Sequence, residues 1–321
     1  MTQAPIQHSQ GSPAAQSDWQ NKALIYDYRK AANPVRAGLT GPIPTHRWEA
    51  SIHQGGPTRV IPLDLSAALG CAGPATSPGL AAHFLRIEAG EGLKAAAAAT
   101  SSLFYVLEGA GQLSWQGRDL AWQSGDLVAL PYGDSPLLEA SSTSVLYWVH
   151  DGPLLQHLGV QPSQPRFEAT HYPASLLQRE LDHLLADPTA ARSNRLSVLL
   201  ANADLPASRT VTHTLWAMLG VVPAGAVQPP HRHQSVALDL ILDCGPGCYT
   251  LVGTELDSHG QIRNPQTIAW ESGGAFITPP GYWHAHVNGS DRMARLLPIQ
   301  DAGLHTYLRS LDIRFHGGLG G

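Results

Sequence analysis

Two stretches decide how this chain folds: Gly225-Ala-Val-Gln-Pro-Pro-His231-Arg-His233, and Gly273-Gly-Ala-Phe-Ile-Thr-Pro279-Pro-Gly281-Tyr-Trp-His284-Ala-His286-Val-Asn288. In extended backbone alternate side chains share a face, so His231 and His233 project together. Pro279, Pro280 and Gly281 predict a turn that lets a distant strand bring His284 to that face. Three neutral imidazoles with open positions suit a divalent transition metal and leave room for substrate or O2. A lone histidine is ordinarily a core or surface residue. A His-x-His pair joined by a third histidine in such a turn is a stronger pattern, and His231, His233 and His284 are the expected metal ligands.

The same punctuation occurs earlier in the chain without the chemistry. Gly90 is followed by five residues and then Ala96-Ala-Ala98; Gly125 is followed by five residues and then Pro131-Tyr-Gly133-Asp-Ser-Pro136. Around both sets lie short apolar runs broken by Gly and Pro, among them AHFLRIEAG, SLFYVLEG, DLVALP and TSVLYWVHD in the first block. The second block has THTLWAMLGVV, SVALDLILDCG, CYTLVG and MARLLPIQ. Short strands with turn signals at this spacing argue for an all-β sandwich or barrel, here duplicated. Between the blocks, Leu176, Leu177, Leu181, Leu184 and Leu185 recur at helical spacing after Pro173, predicting a helix in the connector. The loop ELDSHGQIRNPQ lengthens a hairpin of the second block. Alanine and proline cannot hold a metal, so one site per chain is expected, with the first block a structural partner.

Composition bounds the rest. The chain has 321 residues, 43% of them hydrophobic, enough to bury a large core, and 20 Lys and Arg against 25 Asp and Glu. The net charge of −5, with no basic block, argues against a nucleic-acid partner. No apolar run is long enough to span a membrane, and the polar start MTQAPIQHSQGSPAAQSDWQ shows no secretory signal. Residues 1–20 and the closing GGLGG are expected to be poorly ordered. Three cysteines (Cys71, Cys244, Cys248) cannot build a disulfide framework, although Cys244 and Cys248 could pair. A cytoplasmic protein is expected, and the charged fraction of 14% is compatible with a homo-oligomer.

The motifs Gly-x5-His-x-His and Gly-x5-Pro-x-Gly-x2-His-x3-Asn resemble the paired motifs of the cupin superfamily. That resemblance implies a bicupin, two double-stranded β-helix (jelly-roll) barrels with a partly helical connector. The corresponding division is an extension over 1–56, a metal-less cupin over 57–150, a connector over 151–209, a metal-binding cupin over 210–310 and a tail over 311–321. More narrowly, NRLSVLLANADL, THTLWAMLGVVPAG, PPHRHQSVALDLIL and ITPPGYWHAHVN are similar to the metal-bearing cupin of gentisate 1,2-dioxygenase-like proteins, including enzymes acting on salicylate and hydroxynaphthoate. The resemblance implies a non-haem Fe(II) dioxygenase that cleaves an aromatic or related oxygenated small molecule with O2. One Fe(II) per chain would be held by His231, His233 and His284. It also places His286 behind the ligands or against the substrate oxygen, and Arg195 near the substrate carboxylate. An interdomain or surface ion pair is the plainer reading of Arg195.

Departures from that family narrow the expectation. The acidic ligand that many cupins carry four or five residues after the second histidine is absent, Ala237 and Leu238 standing there. Where the narrower family commonly has an arginine this chain has Asp239, and a family glutamine corresponds to Gly220. A carboxylate beside Asp239 would be repelled, which disfavours gentisate and salicylate themselves. Asp239 also interrupts an apolar strand; it could hold a ligand histidine, meet a polar substrate, approach the metal, or pair with an arginine. Three histidines accept Mn, Zn or Ni as well as iron, so a Lewis-acid isomerase or lyase is the second reading and a non-catalytic small-molecule-binding cupin the third. Trp216, Tyr249, Trp270, Tyr282 and Trp283 could line a planar pocket, but jelly-roll core is the plainer reading; His213, on the predicted strand THTLW, reads as structural.

Overall fold

The computed structural model describes residues 19–190, 193 and 195–316. The expected tail over 1–20 lies outside them except for Trp19 and Gln20, and GGLGG lies wholly outside. The described residues 19–42 belong to a unit of their own, with a single α-helical turn at Tyr28–Ala31 whose preceding Asp27 accepts from the Arg29 amide. Everything from Ile43 onward is a second unit.

In chain order that unit carries β1 (Arg47–Trp48), β2 (Arg59–Pro62), β3 (Ala81–Ile87), β4 (Gly92–Lys94), β5 (Ser101–Glu108), β6 (Ala110–Trp115), β7 (Arg118–Gln123), β8 (Leu127–Pro131), β9 (Leu137–Ala140) and β10 (Ser144–His150). Next come β11 (Thr170–Tyr172) and β12 (Leu196–Leu200), on either side of the helix Ala174–Ala186. The second series is β13 (Trp216–Val222), β14 (His231–Arg232), β15 (Ala237–Asp243), β16 (Cys248–Gly253), β17 (Gln266–Ala269), β18 (Ala275–Thr278), β19 (Trp283–Asn288), β20 (Ala294–Gln300) and β21 (Arg314–Phe315). The first barrel closes a six-stranded sheet, β11-β8-β5-β10-β3-β2, on a four-stranded one, β4-β9-β6-β7. The second closes β1-β18-β15-β20-β13-β12 on β17-β16-β19-β14-β21. The two series are copies of one all-β plan, as the repeated motifs predict.

The repeat glycines recur for a backbone reason. Gly90, Gly125, Gly225 and Gly273 all have positive φ, between +66° and +89°, where a side chain is strained. Each turns the chain between strands, so the punctuation survives even where the histidines do not.

The central strands of both six-stranded sheets are buried on both faces, which is why they read as continuous apolar runs, while the edge strands β1, β2, β11 and β12 are partly exposed. On β10, Leu146, Trp148 and His150 point into the first barrel, while Val145, Tyr147 and Val149 point the other way. The outward set joins Phe84, Leu103, Leu219, Leu238, Ile277 and Ile299 in a core shared by the two barrels. Tyr147 is among the largest fully buried side chains there, and truncating such an aromatic to alanine costs about 3–5 kcal/mol.

The helix Ala174–Ala186 buries Leu177 and Leu181 against that core. Pro173 precedes its first turn, and the Asp126 carboxylate accepts from the Ala174 amide at 2.7 Å, placing a negative charge at the helix start. Segments expected to be extension, connector and tail each lend strands to the sheets: β1 pairs with β18, β11 with β8, β12 with β13, and β21 with β14. His213 is not on a strand; it lies in the bend before β13, against Phe167 at 6.0 Å between ring centroids. Cys71, Cys244 and Cys248 are all free thiols. Among the described residues no helix is long and apolar enough to cross a membrane.

Candidate metal centre

Two neighbouring strands and one turn assemble the site. His231 on β14 pairs directly with His284 on β19. Alternation along β19 sends His284, His286 and Asn288 to the same inner face. The Pro279-Pro280-Gly281 turn is tied to the His-x-His segment, because the Gly281 amide donates to the His233 carbonyl at 2.7 Å. Asn288 pins the far end of β19: its amide donates to the Val222 and Arg292 carbonyls at 2.8 and 2.7 Å, and its oxygen accepts from Ser290. That bonding explains why the motif ends on asparagine.

His231, His233 and His284 each bring one ring nitrogen within 4.8 Å of the others, and all three are buried. Ring centroids lie 3.8 Å apart for His231 and His284 and 4.9 Å for His233 and His284. Nδ1 of His233 donates to the Ser235 carbonyl at 2.9 Å, and Nδ1 of His284 to the Tyr282 carbonyl at 3.1 Å, in the tautomer that leaves Nε2 with a free lone pair. His233 Nε2 is buried and has no partner. A buried acceptor with nothing to accept from is costly, and a cation among the three rings removes that cost. Burial, reinforced by neighbouring positive charge, pushes the pKa values of His231 and His284 far below the usual histidine range and that of His233 down to about 4. The three rings are therefore neutral at physiological pH, as ligands must be. The donor set fits a divalent transition metal.

The other expected residues lie close by in differing relations. His286 sits 5.9 Å from His284 between ring centroids, and its Nδ1 is 2.8 Å from the Thr250 hydroxyl. Arg195, just before β12, donates Nη1 to Gln228 Oε1 at 2.9 Å and presses Nη2 against the His231 ring. Burial draws its pKa down to about 10, so it keeps its charge at neutral pH. Asp239 is buried inside the barrel and accepts from the Thr278 hydroxyl at 2.8 Å. Burial raises its pKa to about 6, with Thr278 and the charge of Arg195 acting against that rise. Among the described residues Asp239 bonds to no ligand histidine and forms no ion pair; Thr278 is its hydrogen-bond partner, and Arg195 reaches it through charge alone.

The aromatics divide. Trp270 donates to Thr250 Oγ1 at 2.8 Å and packs in the barrel core, Tyr282 is partly buried against that core, and Trp283 lies under the Arg232 guanidinium at 5.0 Å. Four residues near the site escape sequence reasoning. Gln228 anchors Arg195. Thr250 holds His286. Ser235 links His233 to Gln300 through its hydroxyl, at 3.0 and 2.8 Å. Phe315 on β21 stacks on His231 at 5.7 Å. Only Thr250 and Ser235 carried a signal, inward register on an alternating strand and a position two residues past a ligand; the other two are brought in by long-range pairing.

No family model matches the chain. Over 104 residues it is 33% identical to gentisate 1,2 dioxygenase 1 of Aquipseudomonas alcaligenes, a match covering 32% of this chain and about a quarter, 26%, of that relative's length. Among solved structures it resembles salicylate 1,2-dioxygenase from Pseudaminobacter salicylatoxidans, with a TM-score of 0.68 and 14% identity over 97% of this chain and 100% of that one. An oxalate decarboxylase structure gives a TM-score of 0.54 at 14% identity, over 92% of this chain and 86% of that one. The fold is that of a bicupin, and the chain resembles the gentisate 1,2-dioxygenase-like cupins.

Proposed function

We propose that this bicupin is a three-histidine, Fe(II)-dependent dioxygenase that uses O2 to cleave an aromatic or related oxygenated small molecule. The observation that carries the reading is the convergence of three neutral, buried imidazoles, one of them with an orphaned Nε2. His231, His233 and His284 would hold the iron. Bound there, the metal supplies open positions for substrate oxygen and O2 together and a route for electrons between them.

The chain's own residues supply the rest. Arg195, partly buried, stays cationic and offers a planar fork of donors to an anionic group on the substrate. Gln228 fixes one arm of that fork. His286, oriented by Thr250, is positioned to hold or pass a proton at the substrate oxygen. Asp239 opposes a second negative charge deeper in the barrel, which favours a substrate with a single acidic group at Arg195.

The test is O2 uptake by protein purified anaerobically, loaded with Fe(II) and offered phenolic acids, hydroxy acids and diketones. Uptake with one of them, abolished in His231→Ala and His284→Ala, is expected. Absence of uptake with every class overturns the reading. A redox-silent metal retained at full occupancy would instead favour the Lewis-acid isomerase or lyase.

A further inference from the structure

The N-terminal barrel has lost its motif histidines, and the space against Ser102 and Pro136 is all but closed, at about 20 Å3, but a wider cavity opens beside the Ala96–Ala98 segment. Strand register sets the two barrels in correspondence. Ala237, four residues after His233, pairs with Gln300; Ser102, four residues after Ala98, pairs with His150. His150 therefore stands where Gln300 stands in the second barrel, at the inner end that carries the metal ligands there. Trp148 points inward two residues before it and pairs across to His83 on β3. Above these three side chains opens a cavity of about 550 Å3, with Ala96, Ala97, Ala98 and Lys94 at its mouth and Pro153 and Leu155 in its wall. That volume is ample for a small organic ligand.

The lining is selective. His83 is 3% exposed, and its Nδ1 has no hydrogen-bond partner. Its ring stacks on His150 at 5.2 Å and lies 4.8 Å from Trp148. Burial lowers the two imidazoles to about 4 and about 3, so both are neutral N–H donors. Lys94 is the cation among the lining residues, and no carboxylate lines the cavity. A wall of Val60, Pro74, Pro153, Leu155 and Val160 interrupted by Gln156 and Gln161, neutral donors at the floor and one exposed ammonium at the mouth select against cations and against small hydrophilic anions.

We propose that the N-terminal barrel is a second ligand-binding site, taking a compact monocarboxylate with an apolar body of about benzoate size, with the carboxylate at Lys94 and the body over His83, Trp148 and His150. The site is separate from the three-histidine centre and needs no metal. Titration calorimetry of the full chain with sodium benzoate at pH 7.5 tests it. The double variant His284→Ala, Arg195→Gln, which disables both the metal centre and its carboxylate anchor, is expected to retain one benzoate site per chain. In that background Lys94→Met should weaken binding about tenfold, and Ala97→Trp, at the exposed mouth, should abolish it. Benzamide, which lacks the charge, and acetate, which lacks the body, should each bind at least tenfold more weakly than benzoate. Both substitutions are at exposed positions and leave the core intact. Loss of benzoate binding in that double variant, or binding indifferent to both mouth substitutions, overturns the proposal.

Discussion

The hydroxyl of Thr250 stands 2.8 Å from Nδ1 of His286 and 2.8 Å from Nε1 of Trp270, joining the two rings through one oxygen. Trp270 can only donate, so it fills a lone pair of Oγ1. Oγ1 keeps a second lone pair and its own proton for Nδ1, so the contact fixes the His286 ring in either tautomer and turns its Nε2 edge away from Thr250. A buried histidine whose ring is held this way can orient a bound oxygen without competing for the metal.

Thr250→Val keeps the shape and removes the hydroxyl. Turnover is expected to fall 10- to 100-fold, the usual cost of losing such an orienting bond, with metal content unchanged. Thr250→Ser should recover most of the loss. Elemental analysis alongside O2 uptake separates this from a metal-binding defect; loss of metal in Thr250→Val would place His286 among the ligands instead.

Arg195 bears on the ring of a proposed ligand, His231, while held by Gln228. A guanidinium so placed opposes a cation in the same pocket and favours an anion there. Arg195→Gln is expected to tighten Mn(II) binding about tenfold in a dialysis titration and to raise KM for an anionic substrate at least tenfold. Arg195→Lys should keep the metal affinity of the natural chain but not the KM, since a point charge cannot replace a planar fork. Metal affinity insensitive to both substitutions would place the guanidinium outside the reach of the ion.

Much of this was legible in sequence, and the limit has a physical basis. Histidine spacing, turn residues and positive-φ glycines are local properties, so His231, His233, His284 and the two-barrel plan could be read from short windows. Arg195 and Asp239 could be suspected but not bonded, because their partners Gln228 and Thr278 lie 33 and 39 residues away. Phe315 illustrates the extreme case. Nothing in a polar, Gly-rich C-terminus announces that β21 will pair with β14 and lay a ring on His231. The cavity of the first barrel is equally invisible, since an alanine run reads as filler until the strands around it are closed.

Asp239 gives a pH-dependent prediction with a definite sign. Its folded pKa of about 6 lies above the ordinary 3.8, so the native state binds the proton more tightly than the unfolded chain. Stability on its account declines as pH rises from about 4 to about 6 and stays lower above that. Asp239→Asn keeps an acceptor for Thr278 and removes the buried charge. It should stabilise the protein by up to about 3 kcal/mol at pH 7, at roughly 1.4 kcal/mol per pKa unit, and by nothing at pH 4. Urea denaturation at the two pH values measures the difference; equal effects at both would remove the charge from the explanation.

The buried imidazoles of the first barrel carry the opposite sign. His150 Nδ1 accepts from the Gly152 amide at 3.1 Å, a bond that a protonated ring cannot make. With folded values of about 3 for His150 and about 4 for His83, against an ordinary 6.5, the unfolded chain binds more protons throughout the interval below 6.5. Stability is lost as pH falls through that interval, by about 1.4 kcal/mol per pH unit for each group. Asp64, whose charge acts on His83, is itself held below 3.8 and titrates under this window. His150→Gln places in the first barrel the residue that the second carries in register at Gln300, with an oxygen to accept from Gly152. The variant is expected to fold, and its melting temperature should drop less between pH 7 and pH 5 than that of the natural chain. An unchanged drop would mean that His150 takes up a proton without opening the barrel, and that the acid sensitivity resides elsewhere.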